Sequence, residues 1–100
     1  MSESEYVLLN NEAQNYYYFE IDGHRPRAEY ILVRDKIYLT HTEVPNELSG
    51  KGIASTLVKQ VLEDIEAKGL PLIPLCPYVA AYIKRHPEWF KVLDKSVNIG

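Results

Sequence analysis

The sequence predicts an α+β fold: a mixed, mostly antiparallel sheet with helices added late, in the order four strands, helix, strand, helix. Three observations predict it. Short runs rich in Tyr, Ile, Val and Leu alternate with turn residues through the first half. Apolar residues then recur at helical spacing from Ile53. Finally Leu70 to Leu75 is a nearly unbroken apolar run, as a strand buried on both faces would be.

The four early runs fall at Tyr6 to Leu9, Tyr16 to Ile21, Glu29 to Val33 and Ile37 to Val44. Asp22-Gly23 closes the second run, and Arg34-Asp35-Lys36 makes a tight polar turn before the fourth, so successive hairpins form a meander. After a loop from Pro45 to Gly52, Ile53, Leu57, Val58, Val61, Leu62 and Ile65 mark one face of the main helix. Lys59, Gln60, Glu63, Asp64 and Lys68 mark the other face, and Gly69 with Pro71 supplies the stop. Pro71 and Pro74 each remove a ladder donor, which predicts imperfect pairing of the strand that follows. A short helix from Tyr78 to Arg85 then ends before Pro87, and Trp89 and Phe90 are expected to pack.

One hundred residues leave room for one compact domain, expected to span 1–100, and exclude any activity that needs two full-size domains. Eleven basic against fourteen acidic side chains give a net charge of -3, so no general field draws in nucleic acid or anionic lipid. A single cysteine, Cys76, cannot form an internal disulfide, and there is neither a secretion-signal pattern nor a run of the roughly 20 apolar residues that span a bilayer. The expectation is a cytoplasmic, reduced protein with no nucleic-acid or membrane partner, a monomer or weak homodimer. Three scattered histidines show no metal-site spacing, so no metal is expected.

Gly50 and Gly52 stand where a strand hands over to a helix, a position that offers unpaired N–H groups and a positive dipole end to an anion. Lys51, Ser55 and Thr56 add cationic and hydroxyl donors. Gly-x-Gly also makes an ordinary turn. A mononucleotide P-loop fails on spacing, because Lys51 is followed by Gly52-Ile53, and a dinucleotide fingerprint fails on architecture.

At Ser49-Gly50-Lys51-Gly52-Ile53-Ala54 the chain resembles the GNAT superfamily of acetyl-CoA-dependent N-acetyltransferases. His41-Thr42-Glu43-Val44-Pro45, Cys76-Pro77-Tyr78-Val79 and Arg85-His86-Pro87-Glu88 extend the likeness to a short GNAT-like family of about this length. The resemblance implies the GNAT-like acyl-CoA N-acyltransferase fold, with strands four and five splayed to admit acetyl-CoA as cosubstrate. It implies that the backbone amides from Gly50 through Lys51, Gly52 and Ile53 to Ala54 bind the pyrophosphate, that Val44 pairs with the pantetheine arm like an added strand, and that Thr42, Ser49, Ser55, Cys76, Tyr78 and Arg85 complete the cofactor site. Two departures stand out. Ser49 replaces the usual Arg or Gln, and the two helices that ordinarily follow the first strand are missing, which reduces the acceptor wall.

Acetyl transfer to an amine needs a group to take the amine proton and a proton source for the departing thiolate. His41 is the candidate base, since an imidazole changes charge near neutral pH; the alternative is a half-exposed strand histidine. Cys76 ends the fifth strand, where its thiol could carry an acyl group or be a small buried apolar residue. Tyr82 falls near the superfamily tyrosine that protonates the thiolate, and Tyr78 competes for that role. Arg85 and His86 also suit cations at a helix C-terminus. The predicted function is transfer of an acetyl group from acetyl-CoA to an amine acceptor that the sequence leaves unidentified, either a protein lysine or a small amine. The alternative is a non-catalytic CoA-binding or sensing module.

Overall fold

The computed structural model describes residues 6–98. Five strands form one sheet in chain order: β1 Leu9–Asn11, β2 Tyr16–Tyr18, β3 Arg27–Val33, β4 Lys36–Glu43 and β5 Leu72–Pro74. The first four are antiparallel neighbours, and β5 lies parallel to β4. Between β4 and β5 runs α1, Ile53–Lys68; after β5 come α2, Pro77–Arg85, and a 3-10 turn, Pro87–Val92.

The helix pattern is realised as predicted: Ile53, Leu57, Val58, Val61, Leu62 and Ile65 are all buried. They meet Tyr17, Ala28, Tyr30, Ile37, Leu39 and Leu72 from the sheet in one core cluster, which also takes Val79, Tyr82, Ile83 and Trp89. Each large apolar side chain so buried contributes about 1.5–3 kcal/mol before entropy is charged against it. Gly69, at φ 69°, lets the chain turn left-handed, and the Gly69 and Leu70 N–H groups return to the Glu66 and Ile65 carbonyls. A polar tie crosses the same interface. The Tyr17 hydroxyl donates to Asp64 Oδ2 at 2.7 Å, and Lys68 pairs with the same oxygen at 2.9 Å. Burial, reinforced by Asp64, pushes the Tyr17 hydroxyl pKa upward. The Asp64 carboxyl lies below its ordinary value because the Tyr17 and Lys68 bonds outweigh the opposing effect of burial.

Both helices serve one face of the sheet. On the other face Tyr16, Tyr18, Tyr38 and Ile73 are half-buried, Ile31 is 50% exposed, and none of them belongs to the core.

Element limits differ from the sequence expectation where backbone donors fail or side chains are polar. β1 lies at Leu9–Asn11 rather than Tyr6 to Leu9, with Tyr6 and Leu8 packing on the core from outside the ladder. β2 stops at Tyr18, because Pro26 opposite Phe19 has no N–H to give and only accepts, at 3.1 Å. The expected turn follows: Asp22 and Gly23 both have positive φ, with Ile21 and His24 exchanging bonds of 2.9 and 2.8 Å. β5 is shorter than Leu70 to Leu75, consistent with its two prolines. Trp89 packs as expected, whereas Phe90 is 43% exposed because the 3-10 turn directs neighbouring side chains apart.

Candidate functional site

β4 and β5 pair only at Ile37, Tyr38 and Leu39, yet β4 continues to Glu43. Beyond Leu39 the two strands part. On the β5 side Pro74 has no donor, and the Leu39 carbonyl accepts the N–H groups of both Leu75 and Cys76 at 2.9 Å, which draws the chain off into α2. Pro77 opens that helix at a position where its missing N–H costs nothing. On the β4 side a bulge falls at the same level: Tyr30 faces Leu39 and Glu29 faces His41, leaving Thr40 as the extra residue. The Thr40 hydroxyl donates to the Glu29 carbonyl at 3.3 Å, capping the disturbed ladder. Bulge and proline together make the split.

The loop beside this split is an amide cradle. Ser49 N–H donates to the Asn46 carbonyl at 3.0 Å and Thr56 N–H to the Gly52 carbonyl at 3.1 Å. Among the described residues, none of the six N–H groups between them, Gly50 to Ser55, donates to a protein acceptor. α1 begins with no side-chain cap and no acidic residue in its first turn, so the helix brings no carboxylate of its own to its positive end. Gly50 and Gly52 have φ of 79° and 72°, and a Cβ at either would meet nothing within 4 Å. The left-handed backbone, rather than crowding, is what requires glycine. Ser49, Lys51 and Ser55 are exposed, while Ile53 anchors the helix start in the core. The Thr56 hydroxyl is engaged with the Gly52 carbonyl at 3.0 Å. Free amides, a dipole end and a lysine fit a pyrophosphate, so these residues suit the CoA that the family resemblance implies.

The candidate chemical residues are not all brought together. Cys76 is 4% exposed, and its Sγ lies 3.4 Å from Thr42 Oγ1, across the split on the core side. His41 precedes Thr42 in the strand and therefore points to the opposite, uncovered face. There its Nε2 lies 3.4 Å from Glu43 Oε1. His41 and Cys76 thus flank one split from opposite sides, and the thiol contacts Thr42 rather than the imidazole. Val44 lies just past the end of β4 and packs against the core. Tyr78 is half-buried on the first turn of α2, while Tyr82 is 4% exposed with its ring stacked on His86 at 4.3 Å. Arg85 is exposed at the far end of α2, about 12 Å of helix rise from Pro77.

Around His41 the structure adds residues to which the sequence reading gave no role. Glu29 is its cross-strand partner, Glu43 is opposite Arg27, and Arg27 bonds Glu29 at 2.7 Å and Glu43 at 3.0 Å. The Glu29 bond above all, with the Glu43 charge, holds the Arg27 guanidinium above its ordinary pKa. Glu43 was within reach of strand periodicity, being two residues from His41. Arg27 and Glu29 depend on register.

A separate groove of about 760 Å³ lies at the other end of the sheet, among Lys36, Ile65, Leu70, Leu93 and Asp94, and holds none of these candidates.

A sheet parted between its parallel strands, with a free amide cradle at the start of the main helix, is the arrangement of an acetyltransferase domain. The chain belongs to the GCN5-related N-acetyl-transferase family, whose model matches residues 16–93. Its relatives include Protein NATD1 of Gallus gallus and of Mus musculus, each 39% identical over 49 residues, a stretch amounting to 49% of this chain and 44% of theirs. Protein NATD1 of Homo sapiens is 39% identical over 49 residues, 49% of this chain and 43% of its own. The matched stretch is thus less than half the length of these curated relatives.

Proposed function

We propose that this domain binds acetyl-CoA in the split between β4 and β5 and transfers the acetyl group directly to an amine that arrives on the uncovered face of the sheet. The carrying observation is the row of free N–H groups from Gly50 to Ser55 standing beside strands that part at Leu39. The pyrophosphate lies on those amides, with Lys51 adding charge. The pantetheine arm runs along β4 beyond Leu39, from Thr40 to Val44, which β5 leaves unpaired, and pairs there as an added strand would.

His41, on the uncovered face, takes a proton from the amine as its nitrogen forms a bond to the acetyl carbon. The carbon–sulfur bond breaks, and the thiolate leaves with a proton from a tyrosine of α2. Of the two candidates Tyr78 has the access, since Tyr82 is closed in by the His86 ring. Direct attack is favoured over an acetyl-Cys76 intermediate because the thiol has Thr42 as its hydrogen-bond partner while His41 faces the other side of the sheet. Protein lysine and small amine both remain acceptors of suitable chemistry.

Rapid quench after mixing with acetyl-CoA and a primary amine, followed by mass spectrometry, tests the route. The expected result is acetylated amine with unmodified Cys76. A one-acetyl adduct on Cys76 that forms and decays at the rate of turnover overturns direct transfer. CoA binding with no product for any amine supports the sensing module instead.

A further inference from the structure

We infer that Arg27 is a positioning residue that keeps His41 available as a base by holding the two carboxylates beside it. The inference rests on the reading of His41 given above, but its test does not. Four side chains form a block on the uncovered face, two from β3 and two from β4, with Arg27 opposite Glu43 and Glu29 opposite His41. Directly opposite residues in an antiparallel pair bring their Cβ atoms within about 5 Å. His41 is therefore flanked by Glu29 across the ladder and by Glu43 two residues along, with Nε2 3.4 Å from Glu43 Oε1. Left alone, two carboxylates at this range favour the imidazolium, which cannot accept a proton.

Arg27 answers both. Its Nε bonds Glu29 Oε2 at 2.7 Å and its Nη2 bonds Glu43 Oε1 at 3.0 Å, the same Glu43 oxygen that His41 approaches. A planar guanidinium reaches both carboxylates at once. The other titratable side chains on or against this face, among the described residues, are the Tyr16 and Tyr18 phenols of β2, opposite Glu29 and Arg27, the Tyr38 phenol further along β4, and Arg25, which lies 5.1 Å from the Tyr18 ring and pairs with Glu20 at 3.0 Å. Across the split, the Cys76 thiol is turned to the other face. With His41 uncharged the block carries one net negative charge, because Arg27 offsets one of the two carboxylates, and it carries two without Arg27.

The experiment follows the His41 ring protons by NMR across pH in the parent and in Arg27→Gln, alongside the pH–rate profile with acetyl-CoA and a primary amine. In Arg27→Gln the His41 titration moves to higher pH by about half a unit or more. The acidic limb of the rate profile moves with it, so the rate falls about threefold below the midpoint and recovers at high pH. Arg27→Lys restores part of the shift, since it returns the charge without the fork. Adding Glu43→Gln to Arg27→Gln brings the titration back toward the parent. An unmoved His41 titration in Arg27→Gln overturns the inference, whatever the rate does. A titration that moves while the rate limb stays put upholds the role of Arg27 and removes His41 as the base.

Discussion

Gly52→Glu abolishes saturable CoA binding, with affinity falling by about a hundredfold or more. Two effects combine. Gly52 holds φ 72° at the entry to α1, where a residue with a Cβ is strained by about 1–2 kcal/mol. A carboxylate there also meets the incoming pyrophosphate as a like charge, at a helix end whose first turn otherwise holds no acidic residue. Gly52→Ala separates the two, keeping the strain without the charge, and should lose only about tenfold. Calorimetric titration with CoA reads both variants. Because Gly52 is exposed and a Cβ meets no neighbour, the loss of stability in urea should not exceed that backbone strain and should be alike in both variants. Undiminished binding in Gly52→Glu would remove the cradle from the site.

The second large effect falls on rate. His41→Ala should lower kcat by about 10²–10⁴, the usual contribution of a positioned acid or base, with CoA affinity within about twofold of the parent. The His41 side chain is 54% exposed and outside the core, so the loss is not one of folding. Cys76→Ala should cost less than about tenfold, because the thiol holds the edge of the split through Thr42 instead of attacking the thioester. Steady-state release of CoA thiol measures both. The reverse ranking, with Cys76→Ala dead and His41→Ala active, would contradict direct transfer.

Much of this was legible in the sequence, for identifiable reasons. The apolar spacing of α1 is dense enough that one face alone can be buried, and Gly69 stops it where the pattern ends. Asp22-Gly23 specified its turn because few other pairs accept positive φ at both positions. Pro74 announced the weak pairing at the end of β5 where the strands part, while Pro71 stands at the paired end and its carbonyl accepts from Ile37. The bulge at Thr40 was hidden, since strand alternation gives no sign of one inserted residue until register is known. That bulge shifts parity along β4: Ile37, Leu39 and Thr42 face the core side while His41 faces away. With register hidden, the sequence could not show that the side chains of His41 and Cys76 face opposite sides of the sheet. The cluster of Arg27, Glu29 and Glu43 was hidden for the same reason, being assembled by β3–β4 register across residues far apart in the chain. Phe90 was expected to pack with Trp89 because composition does not reveal which of two adjacent aromatics a 3-10 turn exposes.

The central claim is that CoA lies in the split, on the amides that open α1. Amide chemical shifts of the 15N-labelled protein, followed as CoA is added, test it most directly. The account predicts that the largest changes fall on Gly50 to Ser55 and on Thr40 to Val44, saturating together with one affinity. Largest changes around Lys36, Leu93 and Asp94, with the Gly50 to Ser55 amides unmoved, would place CoA in the groove at the other end of the sheet and contradict it.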